Sequence, residues 1–202
     1  MNNGSKYPDT DPSREHEIDL GFQRGERWAF EAAAREYFAY LVNFITQLLG
    51  DRDRALELAQ EAFFLACRAH KQLDPRQGLT PWLFQIARNL AYKEFNRRKK
   101  HNAVSLEETM EKTGMQIPSA WPDPRQEIHN QDVKKRIQRA VDRLHPKYRD
   151  ILILRLIMGV PSERVSKMLN MPVSTINVRT HRALKNLRAL CGEEGLNEDE
   201  VF

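Results

Sequence analysis

Cysteine is scarce in this 202-residue sequence, with Cys67 and Cys191 the only two. Two thiols so far apart make neither a disulfide framework nor, alone, a cysteine zinc site, so the chain reads as a reduced, cytosolic protein. The six histidines (His16, His70, His101, His129, His145, His181) show no metal-ligand spacing. There is no Gly-rich phosphate loop, no nucleophile elbow and no HExxH. No catalytic constellation emerges, so the function is expected to be binding rather than enzymatic, with no cofactor and no metal. Long apolar runs are missing as well. The longest, Ile151 to Met158, is interrupted by Arg155 and falls far short of a membrane span. The N-terminus is polar, and no secretory leader is expected. Alternating strand patterns bounded by turns are not found, nor are internal repeats. An excess of one charge is nearly absent: Lys plus Arg number 32 against 28 acids, so charge has meaning only through its distribution.

The sequence does contain material for a core. Hydrophobic residues make up 41% and charged residues 30%, which excludes collagen-like and fully disordered chains. Residues 1–22 are mostly polar and read as a disordered tail. Residues 102–126 carry Gly114, Pro118, Pro122 and Pro124 and lean acidic, which marks a flexible linker. It separates an N-terminal unit, 23–101, from a C-terminal unit, 127–191. An acidic tail, 192–202, follows.

Hydrophobic spacing predicts an all-α protein of two small helical domains. In the first unit, Phe30, Ala33, Tyr37, Leu41, Phe44 and Leu48 form one helical stripe, ended by Gly50. Ala55, Leu58, Ala59, Ala62, Phe63 and Ala66 form a second. Lys71–Leu79 reads as a loop, set by Pro75 and Gly78. Thr80 and Pro81 signal a third helix, with the threonine as N-cap. It buries Trp82, Leu83, Ile86, Ala87, Leu90 and Ala91 and ends in Arg97, Arg98, Lys99, Lys100 and His101. That basic run suits a solvated helix end as well as phosphate contact.

The second unit is predicted to hold four helices. The first has Val133, Ile137 and Val141 inward. The second starts at Pro146, with Tyr148, Ile151, Leu152, Leu154 and Leu156 in the core, and Gly159 closes it. A short helix after Pro161 ends at Asn170, where a left-handed residue is required. Pro172 opens the last helix, Val173–Leu190. Two helices joined by so short a turn are similar to a helix-turn-helix, whose second helix enters the major groove. The last helix carries Arg179, Arg182, Lys185 and Arg188 and no acid. Ser174, Thr175, Asn177, Val178 and Arg179 face outward near its start, and the small polar and forked donors among them can reach base edges and phosphates. The plain alternative is an amphipathic surface helix with a basic face.

Two stretches resemble the sigma initiation factors of bacterial RNA polymerase, of the small extracytoplasmic-function type in the sigma-70 family. ELAQEAFFLACRAHKQLDPRQGLTPWLFQIARNLAYKEFNRRKK, residues 57–100, resembles sigma region two. LHPKYRDILILRLIMGVPSERVSKMLNMPVSTINVRTHRALKNLRAL, residues 144–190, resembles region four. The resemblance implies a factor that binds core RNA polymerase, recognises minus-thirty-five and minus-ten promoter elements and promotes DNA opening. A stand-alone helix-turn-helix regulator that binds an operator as a dimer is the alternative.

The resemblance also implies roles for residues. Glu57, Gln60 and Glu61 would grip the largest polymerase subunit; by pattern alone they make an ordinary solvated face. The loop Lys71–Leu79 would hold a base extruded from the non-template strand, with Gln72 and Arg76 serving there. Arg88, Asn89, Lys93, Arg97 and Arg98 on the next helix would track that strand, while Trp82 reads as a core aromatic. Ser174, Thr175, Asn177, Arg179 and Arg182 would read the minus-thirty-five duplex. The implied partners are core polymerase, promoter DNA and a possible anti-sigma factor. The sequence departs from the family pattern at Glu57 and Lys93, where Asp is usual, and at Asn96, where a base is usual. Pro161 and Pro172 replace serines, and Asn170 replaces the turn glycine.

Overall fold

The structure is a computed structural model and describes residues 11–104, 133 and 136–196. Helix α1 spans Pro12–Arg24. The Asp11 carboxylate caps it by accepting from the Ser13 N–H at 3.0 Å, Pro12 presets its first turn, and Gly25 ends it at φ 78°. This corrects the disordered tail expected over 1–22, whose residues 12–22 are helical. The polar composition hid an amphipathic helix that buries Ile18 and Phe22 at 1% and 0% exposure. Helix α2, Arg27–Leu49, ends at Gly50 with φ 67°. Helix α3, Arg52–Arg68, starts where the Asp51 side chain accepts from Arg54 N–H. Helix α4 spans Leu79–Val104, so its last turn enters the expected linker; residues 105–126 of that linker lie outside the described residues. Alanines at 29, 33, 55, 59, 62, 66, 87 and 91 are fully buried. Side chains this small let the helices approach closely, and Phe44 and Phe84 meet edge-on across α2 and α4 at 4.6 Å.

In the second unit residues 136–143 are helical (α5). Helix α6, Pro146–Ile151, continues into a wide turn, Leu152–Ile157, bonded from Met158 N–H to the Ile153 carbonyl. The widened turn rotates the side chains beyond it. Ile153 and Leu154 are buried, but Leu156, expected in the core, is 45% exposed, and Tyr148 is only half-buried. Helix α7, Ser162–Leu169, ends at Asn170 with φ 50° and ψ 54°, the expected left-handed residue. Helix α8 is Val173–Glu193. Part of the expected acidic tail is also ordered: Leu196 is 6% exposed, against the core residues Val141, Ala183 and Leu187.

Among the described residues there is no strand, and the all-α reading holds. The two units pack against each other. Ile151, Ile153, Leu154, Val160, Val165, Met168 and Ile176 share one core with α1–α4. Met168 is the central contact. Tyr40 Oη donates to its sulfur at 3.4 Å, and Gln85 Nε2 donates to its carbonyl at 2.7 Å.

Candidate nucleic-acid and polymerase interface

Near its start, helix α8 presents a surface that is free of acid and polar apart from Val178, which is 50% exposed. Ser174, Asn177 and Arg182 are exposed, Thr175 and Arg179 are half-buried, and Ile176 and Ala183 anchor the opposite face at 0% exposure. No acid occurs in the helix before Glu193. Asn177 Oδ1 accepts from Ser162 Oγ at 2.9 Å, which ties the two helices of the turn unit together. Arg179 reaches back to the sulfur of Met171 in the turn. The five expected residues therefore lie on one half of one helix, backed by core.

On α4, Asn89 and Lys93 are exposed one turn apart, whereas the neighbouring arginines are engaged. Arg88 bonds Asp150 of α6 through Nε at 2.7 Å and Nη2 at 2.6 Å. Tyr92 donates to the other oxygen of Asp150 at 2.8 Å. Burial pushes the Asp150 carboxyl up, and Arg88 pulls it back down. Beside this pair, the Arg149 guanidinium lies 4.2 Å from the Phe95 ring centroid. Arg149 also donates to the carbonyls of Val141, Asp142 and Leu144 at the end of α5.

Further along α4, Glu94 draws in the basic run. Its side chain is 4% exposed and pairs with Arg97 at 2.8 Å, Arg98 at 2.9 Å and Arg54 at 3.3 Å. Hydrogen bonds from Arg97, then from Arg98, hold the Glu94 carboxyl at about 2. Arg98 also bonds Asp51 at 2.8 Å. Arg97 keeps 62% of its side chain exposed, Arg98 only 29%. The basic helix end is thus partly neutralised inside the fold.

The loop before α4 is a built turn. Gln72 lies in the short 3-10 turn His70–Gln72. Asp74 accepts from the Arg76 N–H at 3.0 Å and from Gln77 Nε2 at 3.3 Å, and its carbonyl receives the N–H of Gln77 and Gly78. Gln72 and Arg76 stay exposed. A cavity of about 200 Å³ opens beside the loop, bounded by Glu15, His16 and Asp19 of α1, by Arg76–Gly78, and by Arg164 and Lys167 of α7. Thr80 does not cap α4, which already begins at Leu79. The Leu79 N–H is satisfied instead by the Asp19 carboxylate, at 2.9 Å from a helix sixty positions earlier. Trp82 is half-buried and packs edge-on near Phe22 at 6.5 Å, in line with its reading as a core aromatic.

On α3, Glu57, Gln60 and Glu61 are all exposed on one face. Glu57 pairs with Arg54. Phe64, three residues beyond Glu61, is 60% exposed, and Leu65 is 37% exposed. Sequence reasoning missed Glu94, Asp150, Asp19 and this apolar extension. Glu94 had a signal, because it stands three and four residues before Arg97 and Arg98, the spacing of helix-face ion pairs. Asp19 and Asp150 had none, since their partners lie about sixty residues away. Among the described residues no helix is long and apolar enough to cross a membrane, and no cluster of metal-ligating side chains is found.

Comparison with known proteins agrees with this geometry. The family description "Sigma-70 region 2" matches residues 33–101, and "Sigma-70, region 4" matches residues 134–187. Together they cover more than half of the chain. The ECF RNA polymerase sigma factor SigW of Bacillus subtilis is 27% identical over 170 residues, 82% of this chain and 90% of SigW. Of solved structures, CnrH in complex with the cytosolic domain of CnrY aligns with a TM-score of 0.60 at 18% identity, covering 89% of this chain and 97% of CnrH. The sigma factor RpoE of Bartonella quintana, in complex with the anti-sigma factor NepR, aligns with a TM-score of 0.56 at 22% identity, covering 80% and 95%. At such identities the structures speak for the fold. The two matched regions, in this order and on this fold, place the chain in the sigma-70 family of RNA polymerase sigma factors, extracytoplasmic-function type.

Proposed function

We propose that this sigma factor recruits core RNA polymerase, recognises a minus-thirty-five duplex and a minus-ten element, and promotes DNA opening at the minus-ten element. The observation that carries the reading is the first half of α8. It presents Ser174, Asn177 and Arg182 to solvent on a core-backed helix with no acid before Glu193. This arrangement suits a groove-facing helix, because base edges are read by rigidly placed polar groups and the absence of acids lowers repulsion from the phosphates. Thr175 and Arg179 complete that surface.

The minus-ten element falls to the other unit. Gln72 and Arg76 on the built turn meet an extruded base, and Asn89, Lys93 and the exposed side of Arg97 follow the strand behind it. Arg88 and Arg98 join them once freed from Asp150 and Glu94. Arg88 spends Nε and Nη2 on Asp150, so a phosphate contact through those donors competes with the Asp150 pair. Extruding a base costs a few kcal/mol of unstacking, offset by the new stacking and backbone contacts. Glu57, Gln60 and Glu61 on α3 form the polymerase face. RpoE is bound by an anti-sigma factor, and a protein of that kind is a further partner in this reading.

The test separates the two surfaces. Arg182→Ala should weaken minus-thirty-five recognition by about 1–3 kcal/mol if it forms a bidentate base contact, with core binding unchanged. Gln60→Ala combined with Glu61→Lys should do the reverse. A folded Arg182→Ala protein that loses core binding would overturn this division.

A further inference from the structure

We propose that α1 braces the minus-ten loop and that Asp19 is a positioning residue for promoter opening, fixing the junction at which the loop turns into α4. The inference rests on the reading of Lys71–Leu79 as the base-capturing loop and adds the part that holds it in place. One face of α1 ties down both ends of the loop. At the far end, Asp19 Oδ1 accepts from Leu79 N–H at 2.9 Å and Asp19 is 7% exposed. At the near end, Gln23 Nε2 donates to the Leu73 carbonyl at 3.1 Å, and His70 Nδ1 donates to the Gln23 carbonyl at 2.9 Å. Asp19 and Gln23 are one helical turn apart, so both ties come from the same stripe.

The backbone is shaped for these ties. Gly25 sits at φ 78°, and a Cβ there would come within 2.8 Å of the His70 ring. Gly78 sits at φ 84°, and a Cβ there would meet Asp19 Oδ2 at 3.4 Å. Between the two ties the loop carries Arg76 outward, so the brace holds its ends and leaves its tip free. The carboxylate also stands where α4 begins, the favourable end of the helix for a negative charge. Glu15 and His16 of α1, Arg76 of the loop, and Arg164 and Lys167 of α7 surround the same cavity. The brace precedes residue 33, where the region-two match begins.

The experiment uses the full chain with core polymerase on a promoter carrying both elements. Opening is read by permanganate reactivity of promoter thymines, and closed-complex formation by footprinting at low temperature. Asp19→Ala should lower opening about fivefold, the value of one lost hydrogen bond, with closed complex and core binding unchanged. Asp19→Asn keeps an oxygen to accept the Leu79 N–H and should restore opening to within about twofold. Gln23→Ala cuts the other tie and should impair opening in the same direction; it carries the test if Asp19→Ala does not fold. Normal opening in folded Asp19→Ala or in Gln23→Ala overturns the brace, as does an Asn variant no better than Ala. Arg76→Ala is measured alongside. If it impairs opening while Asp19→Ala does not, the brace falls and the loop reading stands. If Arg76→Ala leaves opening and minus-ten preference unchanged, the loop reading falls and the brace with it.

Discussion

Two buried carboxylates in this fold titrate in opposite directions, and each leaves its own mark on stability. Glu94 is held at about 2, against 4.5 for a free glutamate, chiefly by Arg97. A depressed carboxyl contributes stability that is full above about pH 4.5 and is lost as the pH falls through about 2. Glu94→Gln should cost about 1–3 kcal/mol at neutral pH and flatten that acid limb. Asp19 is pushed up by burial from 3.8 to about 6. Its contribution is full below about 3.8 and lost as the pH rises through 6, so the chain gains stability from this group on going from pH 7 to 4. Asp19→Asn should remove that gain. Urea unfolding midpoints across pH 2–8 check both, and parallel curves for wild type and either variant would contradict the assignment. Asn170 gives a third test at this scale. At φ 50° an alanine pays the left-handed penalty, so Asn170→Ala should cost about 1–2 kcal/mol, while Asn170→Gly should not.

At the scale of elements, what was legible in the sequence is what depends on neighbours along the chain. The stripes of α2 and α3, the stop at Gly50, the left-handed Asn170 and the polar start of α8 all follow from local spacing and turn chemistry. Helix α1 had local signals too, an Asp-Pro start and a Gly stop, but its sparse apolar residues looked like tail until Ile18 and Phe22 had a core to enter. The features that were not legible depend on distant partners. Thr80 and Pro81 make a sound local cap, yet α4 starts two residues before Pro81 because Asp19 supplies an acceptor. The wide turn at Leu152–Ile157 exposes Leu156 although regular helical spacing places it inside. Arg149 also belongs here: it is 2% exposed and holds three carbonyls at the end of α5. Arg149→Ala leaves those groups short of donors and should cost about 2–4 kcal/mol. The measurement is thermal unfolding, and a change within about 0.5 kcal/mol, the scale of ordinary surface substitutions, would contradict it.

Over the whole molecule, the two promoter-facing units are folded onto one another, through Met168 in its seat between Tyr40 and Gln85 and through the Arg88–Asp150–Tyr92 cluster. Glu15 of α1 adds an ion pair to Arg164 of α7 at 2.7 Å. Two helical units were expected from the sequence; their mutual packing was not legible, because it rests on pairs 58 or more residues apart. Asp150→Ala should loosen this packing, seen as a larger radius of gyration by solution scattering with unchanged helix content. In the proposed function, one chain carries both a polymerase-recruiting surface and the two promoter-reading surfaces. Run-off transcription with purified core polymerase on a two-element promoter tests it most directly. Transcript is expected only when chain and core are both present, and is expected to disappear when either promoter element is scrambled. Equal transcript from core alone, or promoter occupancy by the chain alone with no transcript when core is added, would contradict it.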